Sequence, residues 1–331
     1  MTNENKPAYN NRLIDLLPLE NPLAIAIDPS NLCNFHCEFC PTGDKGLVKQ
    51  RPNGMMSLEL FKKIIDDIAA MNFKLKALKL WKDGEPLLNK NLPQFIEYAK
   101  NKGVSEQVRV TSNGGLLDRM AQQLIDVELD WLMISFLSLK DDVYFRHTGR
   151  KEMQDTVLNN VRLLRSLRDQ KGTKKPHTAI KMCKFPYITD EEIASFRAQV
   201  EPFVDEVILH EEPMDWDSSH HKDMTLGAGL QRRRPKQVCP YAWYQVNINF
   251  NGEVSICPVD WSFKTIIGDV SKETFSDVWN GQRMRDFRNM WATQELWRNP
   301  VCEKCTYYYN HADNIDDFVL GEKIPAADQA L

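Results

Sequence analysis

Six short apolar runs alternate with amphipathic segments between residues 24 and 210, and this alternation constrains the fold more than any other feature. The segments between the runs carry apolar residues at intervals of three or four, as helices that bury one face do. Strands separated by helices form parallel sheets. We therefore expect an α/β protein whose sheet is either open and doubly wound or curved into a partial barrel. The runs are LAIAID (24–29), LKALKLW (75–81), VRVT (108–111), WLMISFL (131–137), TAIKMC (178–183) and EVILH (206–210).

Two helices have recognisable starts in the sequence. Ser57 precedes an apolar pattern that begins at Leu58, and serine is a favoured N-cap residue. Thr189 is followed three residues later by Glu192, which is the spacing of a capping box.

The chain divides into four segments by composition. Residues 1–22 form an N-terminal extension and residues 23–210 the strand–helix region. Residues 211–237 are polar and contain Gly and Pro, which is typical of a linker. Residues 238–331 form a small cysteine-rich domain, in which Asn-Gly at 251–252 predicts a hairpin turn.

Charge and hydropathy narrow the cellular setting. The formal net charge of −4 over 331 residues gives no global attraction to nucleic acid or to a membrane surface. The polar N-terminus lacks the apolar run of a signal peptide, and no apolar stretch is long enough to span a bilayer. We expect a cytoplasmic protein without a nucleic-acid or membrane partner.

Eight cysteines fall into three groups, and short spacings within them indicate metal rather than disulfides. The first group, Cys33, Cys37 and Cys40, has the spacing C-x3-C-x2-C. One reading is a structural zinc completed by His36 or a distant residue, since zinc takes four ligands. The other is a four-iron cluster with one iron left open for a non-protein ligand.

This triad, with Phe39 before its last cysteine, resembles the signature of the radical S-adenosylmethionine (SAM) enzymes. The resemblance implies a partial (β/α)6 barrel and a [4Fe–4S] cluster held by the three cysteines. It also implies that SAM occupies the open iron, and that reductive cleavage of SAM yields a radical that abstracts hydrogen from substrate. An external reductant such as flavodoxin or ferredoxin would supply the electron.

Further residues that carry the resemblance follow successive strands. Parallel barrels have their active sites at these carboxyl ends of the strands. The loop KDGEPLL contains Gly84, Glu85 and Pro86 and resembles the family's Gly-Gly-Glu-Pro motif, except that Asp83 replaces the first glycine. TSNGG resembles a segment of the family that lies near SAM, and Ser135 matches a polar position that contacts the SAM carboxylate. The resemblance thus implies a set of SAM-binding residues: Phe39, Gly84, Glu85, Pro86, Ser112, Asn113 and Ser135.

The C-terminal cysteines are Cys239, Cys257, Cys302 and Cys305. Four thiolates alone would satisfy a zinc ion. The surrounding sequence, however, resembles the extension called SPASM, or its shorter twitch form, whose cysteines bind auxiliary iron–sulfur clusters. Because only four cysteines are present, we expect one auxiliary [4Fe–4S] cluster with no open iron.

Two features narrow the substrate. Only 32 residues precede Cys33, which leaves no room for the leader-recognition domain that many peptide-modifying members carry. The single auxiliary cluster resembles members that act on aminoglycosides and cyclitols. We expect a small polar substrate such as a sugar, an aminoglycoside or a cyclitol, while a peptide substrate stays open.

Cys183 is the eighth cysteine, and strand alternation places it with Lys181 on the face away from Ile180 and Met182. A lone cysteine is usually a small buried hydrophobe. At the end of the fifth strand, however, Cys183 is also placed to donate hydrogen to a substrate radical, as a cysteine does in twitch-type carbohydrate epimerases. Without a donor, the same radical would lose an electron to the auxiliary cluster and become a ketone. We expect an epimerase, with a dehydrogenase as the alternative.

Overall fold

The computed structural model describes residues 12–40, 42–184, 188–210, 236–305, 307–311 and 313–321. Its strands are β1 (Ala24–Ile27), β2 (Ala77–Lys79), β3 (Val108–Ser112), β4 (Trp131–Phe136), β5 (His177–Cys183), β6 (Glu206–His210), β7 (Gln245–Ile248), β8 (Glu253–Ser255) and β9 (Ile266–Asp269). Its helices are α1 (Lys45–Gln50), α2 (Leu58–Ala70), α3 (Leu92–Lys102), α4 (Ala121–Asp126), α5 (Asp141–Thr148), α6 (Met153–Lys171), α7 (Asp190–Val200), α8 (Tyr241–Tyr244), α9 (Phe275–Trp279), α10 (Gln282–Ala292) and α11 (Asp316–Gly321).

The strands form one sheet in the order β6-β5-β4-β3-β2-β1-β7-β8-β9. Strands β1 to β6 pair in parallel and in sequence order, which confirms the predicted α/β class and its parallel partial-barrel core. The cysteine-rich C-terminal region continues this sheet, because β7 pairs in parallel with β1. No pattern in the sequence predicts that pairing.

The hairpin and the helix starts agree with the sequence. Strands β7 and β8 are antiparallel, and Gly252 in the turn between them has a φ of 94°, which a residue with a side chain rarely adopts. Ser57 Oγ accepts a hydrogen bond from Leu60 N at 3.1 Å. Thr189 and Glu192 form both hydrogen bonds of the capping box.

The parallel sheet has one apolar face, which packs against the helices. Leu78, Val110 and Ile134 are fully buried in a core that also contains Phe61 of α2 and Leu164 of α6. Side chains alternate along strands, so residues one position away lie on the opposite face. We call this opposite face, which is turned away from the helices, the inner face. Among its residues are Lys79, Arg109, Thr111, Trp131, Met133, Ser135, Lys181 and Cys183.

The structure and the sequence prediction differ in the length of the second strand. The second strand is shorter than predicted, since it ends at Lys79 and the chain then turns to bury Asp83. Most of the predicted linker, residues 211–235, lies outside the described residues. In the described ranges, no helix combines the length and apolarity needed to cross a bilayer.

Candidate functional site

The loop that carries Cys33, Cys37 and Cys40 follows β1 and is fixed by backbone hydrogen bonds. Cys40 N donates to Cys37 O at 3.0 Å, which tightens the turn between the second and third cysteines. His36 N donates to Thr148 O at 2.8 Å, and this contact holds the loop against the end of α5. The loop therefore has a defined path at the carboxyl end of the sheet.

The three thiols lie close enough to influence one another. Burial is the main cause that raises the pKa of Cys33 to about 12, and the nearby Glu85 and Cys40 add to it. Burial, together with the Cys40 and Cys33 thiols, raises the pKa of Cys37 well above its usual value. Buried thiols at such spacing stay protonated unless a positive centre binds their thiolates.

The sulfur atoms also receive hydrogen bonds of the kind that surround iron–sulfur clusters. Phe35 N lies 3.4 Å from Cys33 Sγ, and Asn113 Nδ2 lies 3.7 Å from the same atom. Thr42 Oγ1 lies 3.4 Å from Cys40 Sγ. In the described part of the chain, no three His, Cys, Asp or Glu side chains could hold a single metal ion as they lie. Three grouped thiols with hydrogen-bond donors at sulfur fit an iron–sulfur cluster.

The loop after β2 packs directly on the segment that leads into Cys33. A Cβ atom at Gly84 would lie 2.1 Å from Ser30 O and 2.4 Å from Leu32 O, so only glycine fits there. Glu85 N donates to Leu32 O at 2.8 Å. Pro86 begins a short 3-10 turn, in which its missing N–H costs nothing. The Gly84–Pro86 loop is thereby joined to the cysteine loop.

The Glu85 carboxylate connects this loop to the end of β3. It accepts hydrogen bonds from Ser112 Oγ at 2.8 Å, from Asn113 N at 2.7 Å and from Leu87 N at 3.0 Å. Burial raises the pKa of Glu85, and these hydrogen bonds oppose the shift. Asn113 Nδ2 in turn donates to Asn34 Oδ1 at 2.9 Å. The structure thus brings five of the predicted SAM-binding residues together beside Cys33: Gly84, Glu85, Pro86, Ser112 and Asn113.

The remaining predicted SAM-binding residues lie apart from these five. Ser135 lies on the inner face of β4, where it pairs in register with Lys181 of β5. Phe39 is buried, and its ring centroid lies 5.9 Å from that of His147 in α5.

A buried ion cluster that was not predicted from the sequence lies next to the Gly84–Pro86 loop. Asp83 Oδ2 lies 2.9 Å from Arg51 Nη1, and Asp83 Oδ1 lies 3.0 Å from Lys82 Nζ; all three side chains are at most 1% exposed. Arg51 Nη1 also donates to Trp261 O at 3.2 Å. Burial, with the charge of Asp83, raises the pKa of Asp28 to about 7. The only sequence signal was the aspartate in place of a motif glycine.

The four C-terminal cysteines also form one group. Burial is the first cause that raises the pKa of each of Cys239, Cys257 and Cys302 above its usual value. In each case the thiol of Cys305 is a further cause, and Cys257 and Cys302 likewise influence each other or Cys239. Four grouped thiols fit a cluster in which each iron has a cysteine ligand. Such a cluster would leave no iron open to a non-protein ligand.

Cys183 ends β5, where strand alternation assigns it to the inner face, and its side chain is part of the hydrophobic core. Ile180 and Met182 are at most 1% exposed on the helix-facing side, while Lys181 is partly exposed. Cys183 itself is 5% exposed, and burial raises the pKa of its thiol. The side chain is therefore a protonated S–H, two residues beyond the residue that pairs with Ser135.

Comparison with known families gives two matches. The profile described as "Radical SAM superfamily" matches residues 27–200, which is more than half of the chain. The profile described as an iron–sulfur cluster-binding domain, SPASM, matches residues 239–306.

Curated relatives match over parts of their length. An uncharacterised protein of Methanocaldococcus jannaschii is 26% identical over 198 residues, or 59% of each chain. A GTP 3′,8-cyclase of Microcystis aeruginosa is 28% identical over 131 residues, or 38% of each chain. The chain therefore spans less than two thirds of either relative.

Among solved structures, BtrN in complex with AdoMet and 2-DOIA superposes with a TM-score of 0.55. The superposition covers 86% of this chain and 92% of BtrN at 18% identity. At that identity the likeness concerns the fold alone.

Proposed function

The chain belongs to the radical SAM superfamily, and from that membership we propose that it epimerises a small polar alcohol. The substrate would be a sugar, an aminoglycoside or a cyclitol that loses the hydrogen of a carbinol carbon and regains one on the opposite face. The superfamily uses a [4Fe–4S] cluster with SAM, and SPASM domains bind auxiliary iron–sulfur clusters. When bound, the first cluster and SAM supply a hydrogen-abstracting radical.

Each cofactor has residues in this chain that suit it. Cys33, Cys37 and Cys40 would hold the first cluster, because their thiols are grouped and receive hydrogen bonds at sulfur. The Gly84–Pro86 loop, Ser112–Asn113 and Ser135 would line the SAM site. The backbone and hydroxyl groups of these residues can donate to or accept from the amino and carboxylate groups of SAM.

The auxiliary cluster would lie in the C-terminal region. Its ligands would be Cys239, Cys257, Cys302 and Cys305, the four thiols that the fold groups together.

The position of Cys183 carries the proposal of epimerisation. Ser135 and Lys181 are register partners, and Cys183 lies two residues further on the same face. With strands about 4.8 Å apart and a rise of about 3.3 Å per residue, the Cα atoms of Ser135 and Cys183 are about 8 Å apart. A thiol there can reach a substrate that lies beside SAM. Because burial keeps Cys183 protonated, it holds the hydrogen atom that the reaction needs.

Epimerisation does not change the oxidation state of the substrate. One substrate C–H bond breaks and one forms, and the new hydrogen atom comes from the Cys183 S–H bond. The resulting thiyl radical takes up one electron and one proton to restore the thiol. An external one-electron reductant, such as flavodoxin or ferredoxin, would supply that electron as well as the one that cleaves SAM.

Dehydrogenation is the second candidate, and the grouping of the four C-terminal thiols favours it. A fully ligated cluster can accept one electron from the substrate radical once its hydroxyl group has lost a proton. The substrate would then leave as a ketone, with two electrons and two hydrogens removed. A peptide substrate is a further alternative, which the family also accommodates.

The Cys183→Ala variant separates these candidates. The reduced holoenzyme would be incubated with SAM and a panel of sugars, aminosugars and cyclitols, and 5′-deoxyadenosine and products would be quantified. We expect the variant to form 5′-deoxyadenosine but no epimer, and to release a ketone instead. The control is Met182→Leu, a volume-conserving change on the opposite face of β5, which should keep the wild-type product. Wild-type product at a similar rate from Cys183→Ala would overturn the role of Cys183.

A further inference from the structure

The buried ion cluster lies where the first cofactor site meets the C-terminal region. Asp83, which directly precedes the Gly84–Pro86 loop, lies 2.9 Å from Arg51 Nη1 and 3.0 Å from Lys82 Nζ. All three side chains are at most 1% exposed. Charges held in this way are poorly screened by solvent, so they act on groups several residues away.

The two cations of the ion cluster also contact the C-terminal region. Arg51 Nη1 donates to Trp261 O at 3.2 Å, and Lys82 Nζ lies 3.5 Å from Asp260 O. We propose that Arg51 and Lys82 are positioning residues for the auxiliary cluster, because they hold the segment after Cys257 in place and their charges raise the reduction potential of that cluster. The inference rests on the proposed function only in taking Cys257 as a ligand of an auxiliary cluster, and it is independent of the reaction.

The C-terminal side of this contact is a turn that is tied to Cys257. The Asp260 carboxylate accepts hydrogen bonds from Lys264 N at 3.0 Å and from Thr265 Oγ1 at 2.7 Å. Asp260 N donates to Cys257 O at 3.4 Å, and Cys257 N donates to Thr265 Oγ1 at 3.4 Å. The turn over residues 260–265 is therefore fixed to the backbone of a proposed cluster ligand, and the two cations hold the turn from the other side.

Phe263 in this turn has a backbone conformation that bulky residues rarely adopt, with a φ of 58°. Its ring centroid lies 5.4 Å from Lys82 Nζ and 6.0 Å from Arg51 Cζ, which is within the range of cation–π contacts. The turn thus meets the cations with an aromatic ring as well as with two carbonyl groups. Backbone strain of this kind persists only where the surrounding contacts maintain it, so the contact with the cations is a specific one.

The charges on both sides of the contact reach thiols of both cysteine groups. Burial raises the pKa of Cys40, and among the charges Asp83 adds to the shift whereas Arg51 opposes it. Burial and the neighbouring thiols raise the pKa of Cys257, and the charge of Asp260 adds to that shift. The ion cluster and the turn that it contacts are therefore close enough to act electrostatically on ligands of either cluster.

Three carboxylates share this region with the two cations. Asp83 pairs with both cations, while the Asp260 carboxylate accepts hydrogen bonds within its own turn. Burial, with the charge of Asp83, raises the pKa of Asp28 to about 7, so this carboxyl group is only partly ionised at neutral pH. Removing either cation makes the region more negative, by one unit charge less the fraction of a proton that Asp28 takes up.

The sign of the effect follows from the charge that reduction adds. An iron–sulfur cluster gains a negative charge when it is reduced, and its potential depends on the charges around it. A nearby cation stabilises the reduced state, and a nearby carboxylate destabilises it. Arg51 and Lys82 therefore raise the potential whether or not the region as a whole is positive, and Asp83 lowers it.

The test is a redox titration of the anaerobic holoprotein, followed by electron paramagnetic resonance. Addition of SAM changes the signal of the cluster that binds it, which distinguishes the two clusters. Lys82→Met and Arg51→Met remove a charge and keep much of the apolar side chain. We expect each variant to lower the equilibrium constant for one-electron reduction of the auxiliary cluster about tenfold, which is a midpoint potential lower by about 59 mV.

Two further variants separate charge from packing. Lys82→Arg keeps the charge and should change the same equilibrium constant less than about twofold, whereas Asp83→Asn removes a negative charge and should raise the potential. The matched control is Lys102→Met, which removes a cation from the exposed pair with Asp66 and should leave the potential unchanged. If Lys82→Met does not fold, the opposite signs expected for Arg51→Met and Asp83→Asn decide.

An unchanged potential in both cation variants would overturn the inference, and so would shifts of the same sign in Asp83→Asn and Arg51→Met. A wild-type protein without an auxiliary signal would overturn it together with the cluster assignment. Opposite shifts in an enzyme that forms no epimer would support the role of Arg51 and Lys82 and refute the proposed reaction. The two failures are therefore distinguishable.

Discussion

Asp83→Asn removes one charge from the buried ion cluster and changes little else in shape. In the native fold the Asp83 carboxylate contacts Arg51 at 2.9 Å and Lys82 at 3.0 Å, and these side chains are at most 1% exposed. The same two cations reach the C-terminal region, since Arg51 donates to Trp261 O and Lys82 to Asp260 O. The substitution therefore leaves two buried cations without their shared partner.

The expected cost follows from this burial. Removing one member of a buried ion pair costs about 3–5 kcal/mol, because the remaining charge is uncompensated. Asp28 lies close enough for Asp83 to raise its pKa, so its ionisation offsets part of the loss. We therefore expect the lower end, about 3 kcal/mol. For a chain of this length, with an unfolding entropy of about 2 cal/mol/K per residue, that loss lowers the Tm by about 4 °C.

The assay is thermal unfolding of the anaerobic holoprotein, followed by circular dichroism at one scan rate. The control is Glu106→Gln, which breaks the pair with Lys76; those side chains are 40% and 52% exposed. An exposed pair contributes at most about 1 kcal/mol, so the control should shift the Tm by about 1 °C or less. An Asp83→Asn protein that melts within 1 °C of wild type would refute the argument that this cluster stabilises the fold.

Three further predictions concern the site. Glu85→Gln should raise the Kd for SAM more than about tenfold with unchanged iron content. The reason is that the amide NH2 of glutamine would face O–H and N–H groups that donate to the carboxylate in the wild type. Unchanged affinity in a folded variant would contradict this. The pKa of Asp28 is raised to about 7 in the folded protein, so its carboxyl group is protonated more readily there than in the unfolded chain. The stability of the wild type relative to Asp28→Asn should therefore fall as the pH rises from about 4 to 7 and then level off. Melting temperatures of the two proteins that stay parallel across this range would contradict the raised pKa. Cys37→Ala should lose about half of the iron and all SAM cleavage; full iron content by chemical analysis would place the cluster elsewhere.

The sequence was sufficient for the elements whose signals are local. The six parallel strands and the caps at Ser57 and Thr189 follow from periodicity and from side chains that bind their own backbone. The convergence of the Gly84–Pro86 loop with Ser112–Asn113 also follows, since both succeed neighbouring parallel strands.

What the sequence could not predict depends on register between distant segments. Strand β7 pairs with β1 although β2 to β6 lie between them in the sequence, and no local pattern in either strand specifies that partner. The pairing of Lys79 with Arg109 likewise needs the register of β2 on β3, since a shift of one residue would place them on opposite faces. Arg51 meets Asp83 only because the cysteine loop and the Gly84–Pro86 loop pack together.

Turnover in deuterated water measures directly whether Cys183 donates the hydrogen atom. The Cys183 thiol exchanges its hydrogen with solvent, so the epimerised product should carry one deuterium at the inverted carbon, detected by mass spectrometry and located by NMR. The 5′-deoxyadenosine formed in the same reaction should carry hydrogen from the substrate. An epimer without solvent deuterium, or a ketone as the only product of the wild-type enzyme, would contradict the role of Cys183 as the hydrogen donor.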